Sequence, residues 1–344
     1  MKTIKKVILA ASISTVALAH SSFAADVTFR IHQFLPAHSN VPKLAIEPWA
    51  EKVESESEGR IEFQHFPSMQ LGGRPQQLLD QARDGVVDIV WTALGYTPGR
   101  FPKSEVFELP FISPNNAELG SRAFYNFVQN HAGDEFKGLK VIAVHTAGPG
   151  IFHSKDPIQS LEDVEGTKIR GASRLVNMLL DNLGATPVGI PAPSIGEAMS
   201  KGVISAASLQ WEAVPTLKLE QMVKNHTEFS GDKSLYTGTF AFVMNPQAYD
   251  KLPADLKAII DKNSGEDTAA LFGRAMDEGD RRGRSAVVTE GNNIITLDEN
   301  ETARWQEKTL SVRDSWIKEV KEQGIDGVAV IDAAEKTIKE HLSQ

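Results

Sequence analysis

Residues 27–66 read VTFRIHQFLPAHSNVPKLAIEPWAEKVESESEGRIEFQHF, and three periodicities follow one another in this stretch. Val27 to His32 alternates apolar and polar side chains, as a strand does. Val41 to Glu56 sets Leu44, Ile46, Trp49 and Val53 at helical spacing, and Arg60 to Phe66 alternates again. The result is one strand-helix-strand unit. Beyond it, Arg74 to Arg83 predicts a second helix, and Val86 to Trp91 a third strand dense enough in Val and Ile to be buried on both faces. The opening region therefore reads as a parallel α/β layer.

The pattern repeats downstream. A helix around 121–131 and a strand from Leu139 to His145 lead to Gly148-Pro149-Gly150, where the chain can bend into another domain. A second series follows: a strand ending at Lys168 to Arg170, a helix from Arg174 to Asn182, a strand from Thr186 to Ile190, a helix from Ile195 to Lys201 and a strand from Val203 to Leu209. Thr237 to Met244 returns as a strand, 253–289 reads as one long helix, Asn293 to Leu297 as a strand, and Glu301 to Glu322 as a charged amphipathic helix. In that last helix Trp305, Leu310, Trp316 and Val320 are expected to pack on the body of the protein. Two α/β layers whose segments interleave predict two lobes joined by more than one strand, an arrangement suited to a hinge. The expected division is 25–149 plus about 238–270 for the first lobe and 150–237 plus about 271–325 for the second, with 326–344 as a tail packed on them.

Composition narrows the class. Lys2, Lys5 and Lys6 precede an apolar run from Val7 to Ala19 and then Ser22-Phe23-Ala24, so 1–24 reads as a secretory signal cleaved before Ala25. Export to the periplasm is the expected outcome. The run is shorter than the roughly 20 residues of a membrane-crossing helix. The sequence holds no cysteine, which excludes disulfides, thiolate metal sites and cysteine nucleophiles. Without the three signal lysines the formal charge goes from −9 to −12, which disfavours nucleic acid or anionic lipid as a partner. A small anion is still admissible, since a few cations inside a cleft set the local potential.

Ligands in open α/β sheets sit outside the carboxyl ends of the strands. Arg170 stands at such an end, where its planar guanidinium can grip a carboxylate through two parallel hydrogen bonds or pair with a surface acid such as Asp163 or Glu165. Arg174, one turn into the next helix, is a weaker candidate for the same anion. Trp91 and Trp211 each follow a buried strand and serve either as aromatic walls or as core. Tyr96 lies in the Gly95-Tyr96-Thr97-Pro98-Gly99 loop with a hydroxyl to offer, and Gln210 and Glu212 flank Trp211 with further hydrogen-bonding groups. The nine histidines show no His-Glu-x-x-His spacing, and neither a Gly-x-Ser-x-Gly elbow nor a phosphate loop is present, so no metal and no cofactor is expected.

Six fragments together resemble one family. They are Pro67-Ser68-Met69-Gln70-Leu71-Gly72-Gly73, Gly85-Val86-Val87-Asp88-Ile89, Phe107-Glu108-Leu109-Pro110-Phe111, Gly166-Thr167-Lys168-Ile169-Arg170, Leu183-Gly184-Ala185-Thr186-Pro187-Val188 and Gly202-Val203-Ile204-Ser205-Ala206. In this order and spacing they resemble the DctP-type solute receptors of tripartite ATP-independent periplasmic (TRAP) transporters. The resemblance implies an α/β, two-lobed periplasmic-binding-protein-like fold, a ligand cleft between the lobes, and a long helix spanning both, here 253–289. It implies that Arg170 pairs with a ligand carboxylate and that the receptor, expected as a monomer, delivers a small organic acid to membrane permease subunits. Leu209-Gln210-Trp211-Glu212 departs from the Glu-Asn-Pro run of many members and resembles a Pro-Trp-Glu subgroup, and Ser205-Ala206 replaces the usual Asp-Gly. Two tryptophans and Tyr96 around one arginine favour a monocarboxylate with a flat or apolar body, such as an aromatic or hydroxy acid. Two other classes use the same residues: a secreted lyase or hydrolase with Glu212 as base, and the ligand-binding partner of a sensor kinase.

Overall fold

Eleven strands among the described residues, 25–342, sort into two sheets in the computed structural model. In chain order they are β1 (Val27–Gln33), β2 (Ile61–Phe66), β3 (Ile89–Ala93), β4 (Lys140–Thr146), β5 (Gly150–Ser154), β6 (Lys168–Gly171), β7 (Thr186–Gly189), β8 (Ala206–Gln210), β9 (Asn225–Phe229), β10 (Thr239–Met244) and β11 (Asn293–Leu297). One sheet has the order β2-β1-β3-β10-β4 and the other β11-β9-β5-β8-β6-β7. The first predicted unit is real: β1 and β2 pair in parallel from Val27 opposite Ile61 to His32 opposite Phe66. The segment between them begins as a π-helical turn at Pro42–Ile46 and continues as the helix Glu47–Glu56, which buries Trp49 and Val53.

Two strands run against the grain, and each is a crossing. β10 is antiparallel to β3 and β4, and β5 is antiparallel to β8 and β9. A chain that leaves one sheet at its carboxyl edge, facing the cleft, enters the other sheet from the cleft side and must run away from it. β4 passes into β5 through Ala147 to Pro149, and β9 passes into β10 through 230–238. Both sets of carboxyl ends consequently face one cleft, the two-lobed architecture expected from the sequence.

The structure differs from expectation at several points. The segment 253–289 is two helices, Ala254–Lys262 and Glu266–Thr289. At the break Gly265 has φ 108°, a conformation that favours glycine, and its N–H donates to the Ile142 carbonyl of β4 at 2.8 Å instead of continuing the helix. The Asn263 carbonyl is taken by the Trp49 indole N–H at 2.6 Å. The third strand starts at Ile89, and Val86 is exposed on the turn before it. Leu310 also faces solvent, whereas Trp305, Trp316 and Val320 on the same helix, Glu299–Glu322, are buried. β5, β9 and the short helices between 213 and 222 carry no clear periodicity and were not expected. The signal residues 1–24 lie outside the described residues. The last helix, Gly327–Leu342, buries Ile331, Ala334 and Ile338 and packs on the helix Ala117–Phe127. Among the described residues no helix is long and apolar enough to cross a membrane.

Candidate functional site

The carboxyl edges of β1, β3, β6 and β8 and the start of β10 surround a cavity between the lobes. Arg170 enters it from β6 and is 1% exposed. Its Nε donates to the Ile190 carbonyl at 2.9 Å and one Nη to the Ser208 carbonyl at 3.1 Å. These two bonds fix the plane of the guanidinium and use two of its five N–H donors. Among the described residues no carboxylate forms an ion pair with Arg170, neither Asp163 nor Glu165 included; Asp163 instead caps the turn at Ser160. A buried cation without an anion is costly, so the cavity is electrostatically incomplete as it stands.

The wall facing this charge is aromatic. Trp91 stacks on Phe34 at 4.9 Å between centroids and on Phe240 at 5.2 Å, and Phe34 meets the edge of Tyr96. All four line the cavity. The Trp91 indole N–H donates to His145 Nε2 at 2.9 Å, while His145 Nδ1 faces the Thr146 carbonyl at 3.1 Å. Burial holds His145 down at about 3, so it is a neutral acceptor that locks the ring of Trp91 in place. The Tyr96 hydroxyl accepts from the Ala192 N–H at 3.0 Å, tying β3's loop to the other lobe, and lies beside Arg170.

Three acids sit at or beneath the cavity. Glu108 is 3% exposed, accepts from Ser173 Oγ at 2.5 Å and from Thr239 Oγ1 at 2.7 Å, and burial pushes its carboxyl up to about 7. Glu212 is 7% exposed and burial pushes it up to about 7 as well, against a hydrogen bond from Asn40. Behind it Asp280, on the Glu266–Thr289 helix, accepts from the Glu212 N–H at 2.7 Å and is driven well above the usual carboxylate range by burial and by Glu212. Gln210 lines the cavity beside Glu212.

Of the residues singled out in the sequence, Arg170, Trp91, Tyr96, Gln210 and Glu212 come together around this cavity. Trp211 and Arg174 do not. The Trp211 ring lies 5.5 Å from both His153 and His226 inside the second sheet's core, with Glu228 as hydrogen-bond partner. The chain leaves β8 at Gln210, and turning into the helix Ala213–Leu217 puts this side chain on the far side from its neighbours. Arg174 reaches away from the cavity to ion pairs with Glu105, at 2.5 Å, and Glu319. Its partners are acids of its own surroundings, which leaves it no free charge for a ligand. Glu108, Phe34, Ser173, Thr239 and Phe240 were missed. Phe34 follows a strand end by the same rule that found Trp91, and Glu108 is a lone acid in the apolar run Phe107-Glu108-Leu109-Pro110-Phe111. Among the described residues no cluster of three or more His, Asp or Glu could hold a metal ion.

Solved structures share this architecture over most of the chain. A TRAP solute-binding protein from Rhodoferax ferrireducens in complex with copurified benzoate is 45% identical and superimposes with a TM-score of 0.90, covering 92% of this chain and 99% of that one. A solute-binding protein from an unidentified marine microbe, specific for aromatic acid ligands and crystallised with 3-hydroxybenzoate, is 41% identical over the same shares, also with a TM-score of 0.90. One from Bordetella bronchiseptica with bound (R)- and (S)-mandelate is 28% identical, with a TM-score of 0.84, covering 91% of this chain and 99% of that one. The family model of the bacterial extracellular solute-binding proteins, family 7, matches residues 32–323, and the chain belongs to that family.

Proposed function

We propose that this protein is the extracytoplasmic receptor of a TRAP transporter, closing on one aromatic monocarboxylate and handing it unchanged to membrane permease subunits. The observation that carries this reading is the Arg170 guanidinium, buried and aimed into a cavity walled by Phe34, Trp91, Tyr96 and Phe240, with no carboxylate partner among the described residues. A ligand carboxylate supplies the missing anion and the aromatic wall covers the ring. Glu108 and Glu212, pushed up to about 7, are largely neutral in mildly acidic solution, so one ligand charge balances the site. A second ligand carboxylate would be buried without a cation.

The relatives bound to benzoate, 3-hydroxybenzoate and mandelate support the aromatic class. Glu212 acting as a catalytic base has no support, since its family members are solute-binding proteins. The same reading keeps the lobe division at 25–149 plus about 238–270 and 150–237 plus about 271–325, supported by which sheet each strand joins. It also keeps export to the periplasm, cleavage after Ala24 and a monomer.

The test is a thermal-shift screen of the protein lacking 1–24 against mono- and dicarboxylates, followed by chemical recovery of the ligand. The expected result is a rise in midpoint with aromatic monocarboxylates and none with succinate or phthalate. A response to dicarboxylates alone, or conversion of the ligand, refutes the reading.

A further inference from the structure

We infer that Gln210 and Glu212 form a hydroxyl-recognition subsite, so that the preferred ligand carries a hydroxyl group besides its carboxylate; this rests on the carboxylate-receptor reading above. Two buried polar atoms on residues that line the cavity have no hydrogen-bond partner: Gln210 Nε2 and Glu212 Oε2. Their residues are 4% and 7% exposed, so solvent at the surface does not satisfy them. Native proteins rarely leave buried polar atoms unpaired, and such an atom calls for a specific partner.

The rest of the network is satisfied and helps define what that partner is. Glu108, the other acid of the cavity, has both oxygens occupied by Ser173 and Thr239. The Glu212 backbone is fixed by Asp280, and its side chain receives Asn40. What remains is an amide N–H that donates only and a carboxyl oxygen that accepts when ionised and can donate when protonated. A hydroxyl matches both at once, accepting from Gln210 and donating to Glu212. A second carboxylate does not, because Arg170 is the single cation lining the cavity among the described residues. An ammonium would need an ionised Glu212 beside it, which the burial of that carboxyl opposes. An apolar substituent would leave both atoms unpaired, and sites built to hydrogen-bond a hydroxyl reject the analogue that lacks it by large factors.

The experiment is calorimetric titration of the ligand-stripped protein with matched pairs: benzoate against its three ring-hydroxylated isomers, and phenylacetate against its ring-hydroxylated isomers and mandelate. In the wild type at least one hydroxylated acid binds about tenfold or more tightly than its parent. In Gln210→Met and Glu212→Met that ratio collapses toward one, whatever happens to the absolute affinities. A crystal structure of the wild type with the preferred acid provides a readout independent of whether the variants fold, with the hydroxyl oxygen expected within hydrogen-bond distance of Gln210 Nε2 and Glu212 Oε2. Parents binding as tightly as every hydroxylated isomer, meaning that water fills the subsite, overturn the inference. So does an unchanged ratio in both variants, or a hydroxyl seated elsewhere. If carboxylates bind through Arg170 yet ignore the hydroxyl, this inference alone fails; if no aromatic carboxylate binds the wild type, the receptor reading fails with it.

Discussion

Replacing Arg170 by methionine separates two quantities that usually fall together, the stability of the empty protein and its affinity for ligand. In the empty protein the guanidinium is 1% exposed and lacks an anion, so its charge is a standing desolvation cost of several kcal/mol, relieved by an apolar side chain of similar length. Against that gain, the carbonyls of Ile190 and Ser208 lose their donors, at about 1–3 kcal/mol each. The two terms are of similar size, and the melting midpoint of the ligand-free variant is expected within a few degrees of wild type. Binding behaves differently. Loss of one partner of a buried, hydrogen-bonded charge pair costs about 2–5 kcal/mol, a factor of about 30 to several thousand in Kd. At a ligand concentration one hundred times the wild-type Kd, the wild type gains about 2.7 kcal/mol of stability and the variant at most about 0.9 kcal/mol. Scanning fluorimetry with and without benzoate, backed by calorimetry, reads both. A variant that still binds within tenfold of wild type refutes the role given to Arg170. One that loses 5 kcal/mol when empty shows instead that the arginine is a structural strut.

Four further outcomes follow from the same geometry. Burial raises Glu212 from 4.5 to about 7, so its contribution to folding is fully present below about pH 4.5 and is lost as pH rises to about 7, by about 3 kcal/mol; denaturant titrations should show Glu212→Gln gaining about that much on wild type between pH 4.5 and pH 8, and a pH-independent difference refutes the buried-acid picture. Above about pH 7 the ionised Glu108 and Glu212 oppose a ligand anion, so benzoate affinity should weaken from pH 6 to pH 8, and an unchanged Kd counts against both acids facing the ligand. Trp211→Phe removes the bond to Glu228 and some packing on His153 and His226, costing about 1–3 kcal/mol of stability, while benzoate affinity stays within about threefold; a larger affinity loss would put the ring back in the cavity. A Cβ on Gly95 would lie 2.5 Å from Ser173 Cβ across the cleft, so Gly95→Ala should release the ligand faster and hold the lobes apart in small-angle scattering with ligand present; wild-type closure would refute the close approach.

The rule that looks for a site at strand ends is geometric. It depends on knowing where strands stop and not on which residues stand there, and it brings Arg170, Trp91, Tyr96, Gln210 and Glu212 around one cavity. It failed at Trp211 because a strand that turns into a helix rotates its side chains, and the rotation is set by the backbone at residues 211–213. Arg174 was misread for a different reason. Its partners, Glu105 and Glu319, are 69 and 145 residues away in sequence, and nothing local signals them. The break at Asn263 to Gly265 was hidden in the same way, since it follows from a hydrogen bond to Ile142 in another element.

Thr239 and Phe240 show why the crossing strands matter to recognition. A strand that runs with its sheet offers the cleft its carboxyl end, but β10 runs against it and offers its amino end. Its first residues therefore do the work that last residues do elsewhere: Thr239 donates to Glu108 through both its N–H and its hydroxyl, and Phe240 stacks on Trp91. Because 230–238, a connection between the lobes, leads directly into Thr239 and Phe240, the cavity wall and a crossing between the lobes adjoin along the chain. A ligand that seats its ring against Phe240 while its carboxylate draws on Arg170, in the opposite lobe, pulls on both sides of that connection at once. Its binding energy is thereby spent across the hinge, the condition for closure to depend on occupancy.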